Sequence, residues 1–238
     1  MKLIFEDNFN GSSLDRNKWR VITGGYGWGN NEDQFYVDNN KNIKVENGVL
    51  KIIALKEDYE NRHYTSGKIE TLQSFKYGRF EFVCKVPKGK GSWPAIWLLP
   101  VNKQGGWPLC GEIDVVETIG RYQDVMHYSL HTGAYNHKYE NQRTFSHLVK
   151  GASDRFLTYA LIWTKDYISF ELEGKEVVRY NKNDKNYPGG IESWNFDQEF
   201  YIIVNLACGG NWGGTIDDDA IPFEFDIKSI KVFALDYD

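Results

Sequence analysis

The sequence predicts an all-β protein, a two-sheet antiparallel β-sandwich of the jelly-roll type. Short runs of β-branched and aromatic residues recur along the chain, separated by turn signals such as Asn47-Gly48 and Glu173-Gly174. No long stretch repeats apolar residues with the 3.6-residue period of a helix. No linker, composition shift or internal repeat divides the chain, so residues 1–238 are expected to form one domain.

At least a dozen strands are expected. In chain order they cover residues 43–45, 49–54, 67–71, 79–86, 95–99, 113–116, 127–131, 157–163, 167–172, 175–180, 200–206 and 223–233. Loops rich in turn residues are expected at 23–42, 56–66, 100–110, 133–155, 181–199 and 209–222. Trp28, Trp107 and Trp212 lie in these loops beside glycines, which favours a binding role or loop pinning over core packing.

Composition restricts the classes of function. Aromatic residues make up 16% of the chain, with 8 Trp and 15 Tyr, and such side chains suit both a large β core and stacking on sugar rings. The net charge of −5 and the lack of a basic stripe argue against nucleic acid as a partner. No apolar run is long enough for a membrane helix. Three scattered cysteines fit buried thiols better than a disulfide framework or a zinc site.

Residues 111–120 carry the strongest functional signal. Glu112, Asp114 and Glu117 lie in a β-branched run typical of a buried strand, where unpaired carboxylates are costly. Because side chains alternate along a strand, a regular strand would direct Glu117 away from the other two acids. One extra residue, a β-bulge, would return it to their side, and bulges are frequent beside active sites.

Carboxylates in this arrangement are suited to cleaving a glycosidic bond. With the bulge, the Cα atoms of Glu112 and Glu117 would be roughly 13 Å apart. Inclined side chains could then reach the separation of about 5–5.5 Å found in retaining glycosidases, and the about 6.5–9.5 Å of inverting enzymes is not excluded. Clustered charge favours Glu117 as the proton donor, with Asp114 orienting Glu112. The alternative is an exposed edge strand whose acids are simply solvated.

Five stretches, in order along the chain, match the signatures of one enzyme family. They are Gly-Trp-Gly-Asn-Asn-Glu at 27–32, Tyr-Gly-Arg-Phe-Glu at 77–81, Trp-Pro-Ala-Ile-Trp-Leu-Leu-Pro at 93–100, Glu-Ile-Asp-Val-Val-Glu at 112–117 and Asn-Leu-Ala-Cys-Gly-Gly-Asn-Trp at 205–212. Through them almost the whole chain resembles glycoside hydrolase family 16, and within it the laminarinase-like endo-β-1,3-glucanases. Lichenase-like relatives carry a version of the 112–117 motif that is one residue shorter.

The resemblance implies a jelly roll whose concave face is an open cleft for a polysaccharide or oligosaccharide. It implies Glu112 as nucleophile, Asp114 as its assisting acid and Glu117 as general acid/base of a retaining endo-hydrolase. The substrate-binding residues that we expect are Asn31, Arg79, Trp93, Trp97, Trp107, His131, Asn205 and Trp212. From the residues alone, Arg79 is equally able to pair with an acid such as Glu81 or Glu70.

Two histidines are expected on one face of a strand. His127 and His131 are four residues apart, and the helical H-E-x-x-H pattern of zinc enzymes is absent. The resemblance implies that His131 lines the cleft near the acid/base, and it leaves His127 unassigned.

Substrate specificity stays open at this stage. The sequence departs from the commonest glucanase pattern at Val116, at Thr118 and over residues 131–137. The expected substrate is β-1,3-glucan (laminarin). The alternatives are an endo-β-galactosidase acting on host or algal galactose-containing glycans and a non-catalytic carbohydrate-binding protein. Transglycosylation would share the covalent intermediate of the hydrolase.

No cofactor is expected for catalysis, but the resemblance implies a structural calcium. The matching positions are Asn8, Gly48 and Asp226, with Asn8 in place of the usual acid; an amide oxygen still qualifies as a calcium ligand. The N-terminus has no signal-peptide pattern. We therefore expect a mature or trimmed form of a secreted or cell-surface protein, acting as a monomer.

Overall fold

The computed structural model describes residues 1–236, which form two β-sheets. The strands, β1 to β17 in chain order, are Lys2–Asp7, Trp19–Val21, Gln34–Tyr36, Ile43–Glu46, Val49–Tyr59, Arg62–Ser66, Lys68–Thr71, Gly78–Lys85, Ser92–Pro100, Glu112–Glu117, Val125–His131, Arg143–Leu148, Leu157–Trp163, Tyr167–Leu172, Lys175–Asn181, Phe200–Cys208 and Phe223–Ala234. A short α-helix, α1, covers Gly210–Gly213, and 3-10 turns cover Gly27–Gly29, Gly120–Tyr122, His137–Tyr139, Gly190–Glu192 and Asp218–Ala220. Within residues 1–236, no helix is long and apolar enough to cross a bilayer.

The two sheets confirm the predicted all-β sandwich. A seven-stranded sheet has the order β12-β11-β10-β9-β16-β7-β2. A ten-stranded sheet has the order β15-β14-β13-β8-β17-β5-β6-β3, with β1 added on β17 and β4 on β5. The strands pair almost throughout as antiparallel neighbours, and β3 pairs with β6 in parallel.

The core lies between the sheets because each strand turns one face inward. In β8 the side chains of Phe80, Phe82 and Cys84 are fully buried in the core, whereas the residues between them are partly exposed. In β16 of the seven-stranded sheet, Ile202 and Val204 are likewise buried in the core. Burying one such large apolar side chain contributes about 1.5–3 kcal/mol relative to leaving it exposed. We call the side of the seven-stranded sheet away from this core the cleft face.

Several strands lie where loops were predicted. Strand β3 falls within 23–42, β6 within 56–66 and β12 within 133–155. The reason is visible in β12, whose residues Thr144 to Ser146 are all exposed at the edge of the seven-stranded sheet. An edge strand solvated in this way lacks the apolar alternation from which a strand is predicted.

The predicted bulge is present in β10. Asp114 is paired with Trp97 and Val116 with Ile96, so Val115 is an extra residue on the β10 side. Val115 and Val116 are consecutive, yet both are fully buried in the core. This doubling reverses the alternation of side chains. Glu117 therefore projects from the cleft face together with Glu112 and Asp114.

Candidate active site

Glu112 is held from two sides at the start of β10. Trp107 Nε1 donates a hydrogen bond to Glu112 Oε2 over 2.9 Å. His131 Nε2 lies 3.7 Å from Glu112 Oε1 and 3.2 Å from Asp114 Oδ2. The imidazole reaches both carboxylates because Glu112 and His131 are paired across β10 and β11. The orientation of Glu112 is thus set by an indole on one oxygen and an imidazole near the other.

Glu117 is held by a different indole. Trp93 Nε1 donates to Glu117 Oε1 over 3.1 Å. The ring of Trp93 meets Trp212 edge to face, with centroids 5.3 Å apart, and Trp212 in turn contacts His127 at 4.8 Å. Each of the two glutamates of β10 therefore accepts one N–H from its own tryptophan.

Burial dominates the electrostatics of the three acids. It raises the pKa of Asp114 to about 7, although a hydrogen bond with Glu112 acts in the opposite direction. Burial and the charge of Asp114 raise the pKa of Glu117 to about 8. Burial and Asp114 also raise the pKa of Glu112 well above its ordinary value, and His131 and the Trp107 N–H oppose that rise. Of the two glutamates, only Glu112 has an imidazole within 4 Å.

The contacts, rather than the pKa shifts, divide the chemistry between the two glutamates. Glu117 retains its proton at neutral pH and is able to donate it to a leaving oxygen. Glu112, with an indole and an imidazole facing its oxygens, is the carboxyl better placed to carry negative charge and attack. The arrangement can supply a nucleophile and a proton donor on the same side of one strand.

The Trp93 hydrogen bond makes the alkaline side of the pH profile testable. The N–H favours the ionised form of Glu117, so Trp93→Phe should raise the pKa of Glu117 further above its present value of about 8. Because Glu117 works as an acid only while protonated, the alkaline limb of kcat/KM should move to higher pH, by up to about one pH unit. A limb that stays in place or moves to lower pH would show that Glu117 is not the titrating acid.

Beyond Glu112 and Glu117, the cleft face continues across β9 and β16. Trp97 is paired with Asp114, and its Nε1 donates to Asn205 Oδ1 over 2.7 Å. Asn205 Nδ2 in turn donates to the hydroxyl of the buried Tyr36 over 2.9 Å. The predicted residues Trp97 and Asn205 thus form one connected polar and aromatic surface beside the acids.

Lys68 is a cleft-face residue that the sequence analysis missed. It is buried, and its Nζ lies 4.2 Å from the ring centroid of Trp28 and 5.5 Å from that of Trp97. Trp28 packs against Tyr26, an exposed ring at the rim. The available signal was the alternation in β7, where polar Lys68 precedes Ile69, a core residue.

The loops bring further predicted residues to the rim. Asn31 Nδ2 donates to Asn211 Oδ1 over 3.0 Å, which joins the loop at 23–42 to α1 and its residue Trp212. Asn31 has a φ of 53°, a left-handed conformation that Asn tolerates better than most residues. Trp107 lies beside Glu112 and Trp212 lies on the Trp93 side, so aromatic rings flank both glutamates.

The sequence itself identifies the family. The family model described as Glycosyl hydrolases family 16 matches residues 28–221. The chain belongs to this family. It is a glycoside hydrolase, and the matched span includes residues 112–117.

Three similar proteins illustrate the family. Beta-glucanase of Rhodothermus marinus is 40% identical over 242 residues, which cover 98% of this chain and 85% of that protein. The crystal structure of the laminarinase from Rhodothermus marinus has a TM-score of 0.95 and 38% identity, covering 99% of this chain and 98% of the other. A mutant of a non-specific endo-β-1,3(4)-glucanase from family 16, co-crystallised with 1,3-β-D-cellotriosyl-glucose, has a TM-score of 0.92 and 35% identity and covers 98% and 95% of the two chains.

The structure corrects the expectation that Arg79 binds substrate in this family 16 chain. Arg79 lies on β8 of the ten-stranded sheet, with Phe80 beside it directed into the core. Its Nε is 2.7 Å from Glu81 and its Nη1 is 2.8 Å from Glu171. Arg79 therefore points to the opposite side of the molecule from the cleft face, and the alternative of pairing with Glu81 is the one observed.

Replacing Arg79 tests this correction. Arg79→Ala should leave kcat and KM unchanged, because the side chain is remote from the glutamates of the cleft face. It should lower the free energy of unfolding by about 1–2 kcal/mol, a charged-pair value discounted for solvent screening. Urea unfolding and steady-state kinetics measure the two effects. A large rise in KM without loss of stability would restore Arg79 to the binding site.

His131 is also placed differently from the expectation. It lies within 4 Å of Glu112 and Asp114 rather than of Glu117, the acid/base that the resemblance implies, because its partner in the β10–β11 register is Glu112. His127, four residues earlier on the same face of β11, contacts Trp212 and is hydrogen-bonded through Nδ1 to Ser146 Oγ at 2.6 Å.

The positions expected to bind calcium do not fit that ion. The carboxylate of Asp226 is paired with Lys85 Nζ at 2.9 Å and lies 3.5 Å from Lys51 Nζ. Asp226 is the one acidic residue among the three expected calcium ligands, since Asn8 and Gly48 are neutral. The two ammonium groups beside its carboxylate would repel a divalent cation. Within residues 1–236, the group able to offer a metal three such donors is Glu112, Asp114 and His131.

Proposed function

We propose that this chain is a retaining endo-β-1,3-glucanase that hydrolyses internal bonds of a polysaccharide such as laminarin. The observation that carries the proposal is the placement of Glu112 and Glu117 on one side of β10, each bound by the N–H of its own tryptophan. The names of the similar proteins, a beta-glucanase, a laminarinase and an endo-β-1,3(4)-glucanase, support β-1,3-glucan as the substrate.

Endo action follows from the position of the acids within the sheet. Strand β10 is third of seven, with β11 and β12 on one side and β9, β16, β7 and β2 on the other. Aromatic or polar side chains suited to sugars lie in both directions, Trp97 and Trp28 on one side and His127 with Trp212 on the other. A polymer is therefore able to extend past the acids at both ends.

The proposed mechanism is a double displacement. Glu112 attacks the anomeric carbon as the bond to the leaving oxygen breaks, and Glu117 gives that oxygen its proton. Water then attacks the same carbon, Glu117 takes a proton from the water, and the Glu112 ester is released with the β configuration kept. Asp114 and His131 orient Glu112 and balance the change in its charge. The two steps use only these side chains and water, so we propose no cofactor for catalysis.

A panel of glycans tests the proposal. Reducing ends should appear on laminarin, with internal cleavage seen as an early loss of chain length, and should be much slower on mixed-linkage glucan, agarose, keratan and mucin glycans. Cleavage of the galactose-containing glycans alone would replace the proposal with an endo-β-galactosidase. Binding to laminarin without any turnover would make the chain a carbohydrate-binding protein. Adding oligosaccharide acceptors measures transglycosylation from the same intermediate.

The proposal extends to the setting of the enzyme. A polysaccharide is too large to cross a membrane unaided, so we propose that the chain works as a secreted or cell-surface enzyme. We also propose that it acts as a monomer, because the residues assigned to the reaction all come from one chain.

A further inference from the structure

Trp107, the donor to Glu112, lies in a loop whose backbone is fixed by its own hydrogen bonds, from the Gly106 N–H to the Lys103 carbonyl at 2.8 Å and from the Cys110 N–H to the Gly106 carbonyl at 2.9 Å. It follows Gly105 and Gly106, whose φ angles are 81° and 70°, and it is only partly buried. These bonds fix the backbone, so the plane of the indole ring depends on the side chains packed against it. Since an indole N–H points along the ring plane, tilting the ring would break its hydrogen bond to Glu112.

The ring of Trp107 is covered by the loop between β11 and β12. His137 lies over the indole, with ring centroids 4.6 Å apart and planes inclined by 32°. Lys138 Nζ is 5.0 Å from the same indole centroid. His131 touches both rings, at 6.0 Å from Trp107 and 5.4 Å from His137. The indole is thus enclosed by groups from a single neighbouring loop and strand.

The turn that carries His137 is itself firmly fixed. Asn136, which begins the turn, has no exposed surface. Its Nδ2 donates to the carbonyls of Thr132 at 3.0 Å and Gly133 at 3.1 Å, and its Oδ1 accepts from the N–H of Lys138 at 3.1 Å. His137 is therefore a fixed stacking partner for the indole ring of Trp107.

We propose that His137 is a positioning residue for the nucleophile: it holds the plane of Trp107 so that the indole N–H stays on Glu112. This rests on the proposed function of Glu112 and adds a residue from outside the family motif. Burial and the neighbouring His131 and Lys138 lower the pKa of His137, so the ring is uncharged at neutral pH and stacks without adding a charge.

The role predicts a kinetic signature at Glu112. In His137→Ala the Trp107 hydrogen bond should weaken, and the pKa of Glu112 should rise. We expect kcat to fall about tenfold, KM to change little and the acid limb of the pH profile to move to higher pH. The other ionisable groups around Glu112, all unchanged in this variant, are Asp114, Glu117, His131, Lys68, Cys110 and Lys138.

Matched variants separate positioning from general damage. His137→Phe keeps a flat ring over the indole and should restore most of kcat and the acid limb. Tyr139→Ala alters an exposed side chain on the same turn and should behave as wild type. In a Trp107→Phe background, which has no N–H to position, adding His137→Ala should cause no further loss of kcat.

The outcomes distinguish this inference from the proposed function. An unchanged kcat and acid limb in His137→Ala, a Phe variant no better than Ala, or fully additive losses with Trp107→Phe would each overturn the positioning role. Those results leave the assignment of Glu112 intact as long as Trp107→Phe itself lowers kcat. Full activity of Glu112→Gln would instead remove the proposed function, and the positioning role with it.

Discussion

Glu112→Gln should reduce hydrolysis of laminarin by at least about four orders of magnitude while oligosaccharide binding persists. The amide has the shape of the carboxyl and is able to accept the Trp107 hydrogen bond through its oxygen, but it cannot form the ester with the anomeric carbon. Binding should be retained because the aromatic surface around Trp93 and Trp97 is untouched. Steady-state kinetics and calorimetric titration with a laminari-oligosaccharide measure the two properties.

The control removes a partly exposed, ion-paired carboxylate from the other sheet. Glu81 pairs with Arg79 on the ten-stranded sheet, so Glu81→Gln should keep wild-type kcat and KM. Full activity of the Glu112 variant, or an equal loss in the Glu81 variant, contradicts the assignment of Glu112 as nucleophile.

Glu117→Ala should have the second largest effect, and the effect should depend on the leaving group. Loss of the general acid should slow cleavage of laminarin by about 10²–10⁴-fold. Aryl glycosides with an acidic phenol as leaving group need no proton, so formation of the glycosyl-enzyme on Glu112 should be nearly unchanged for them.

Azide should then rescue turnover of such aryl substrates by the Glu117 variant. The small anion needs no base, and it attacks the glycosyl-enzyme from the face opposite Glu112. The product should therefore be the β-glycosyl azide, identified by NMR. An α-glycosyl azide would exchange the roles of Glu112 and Glu117, and an equal loss on laminarin and on aryl substrates would mean that Glu117 is not a proton donor.

The placement of the three acids of β10 on one face was predictable because its signal is local. Three carboxylates in a β-branched run, with the last one residue out of phase, require a bulge if all are to face one way, and the buried pair Val115 and Val116 provides it. Local alternation was sufficient for this prediction because the sequence itself contains the mismatch.

Arg79 shows the limit of what the alternation of side chains along one strand can predict. The pattern in β8 correctly indicates that Arg79 faces away from the core, since Phe80 and Phe82 are buried. It does not say which of two sheets contains the strand, and in a sandwich that choice decides whether an outward residue meets the cleft or the opposite surface.

The roles of residues that depend on strand register or loop packing could not be predicted from the sequence. Whether His131 or His127 meets Glu112 depends on how β11 pairs with β10. Lys68 and His137 gain their surroundings from Trp28 and Trp107, which come from loops distant in sequence. The ion pair of Lys85 and Asp226 likewise joins two strands that are distant in sequence, so it depends on strand pairing that the sequence does not reveal.

The most direct test of the account is the anomeric configuration of the first product. Proton NMR during hydrolysis of a laminari-oligosaccharide should show the β anomer first, with the α anomer arising later by mutarotation, because Glu112 and Glu117 act in two successive displacements at one carbon. Initial release of the α anomer would mean a single displacement by water, and Glu112 would then not be a nucleophile.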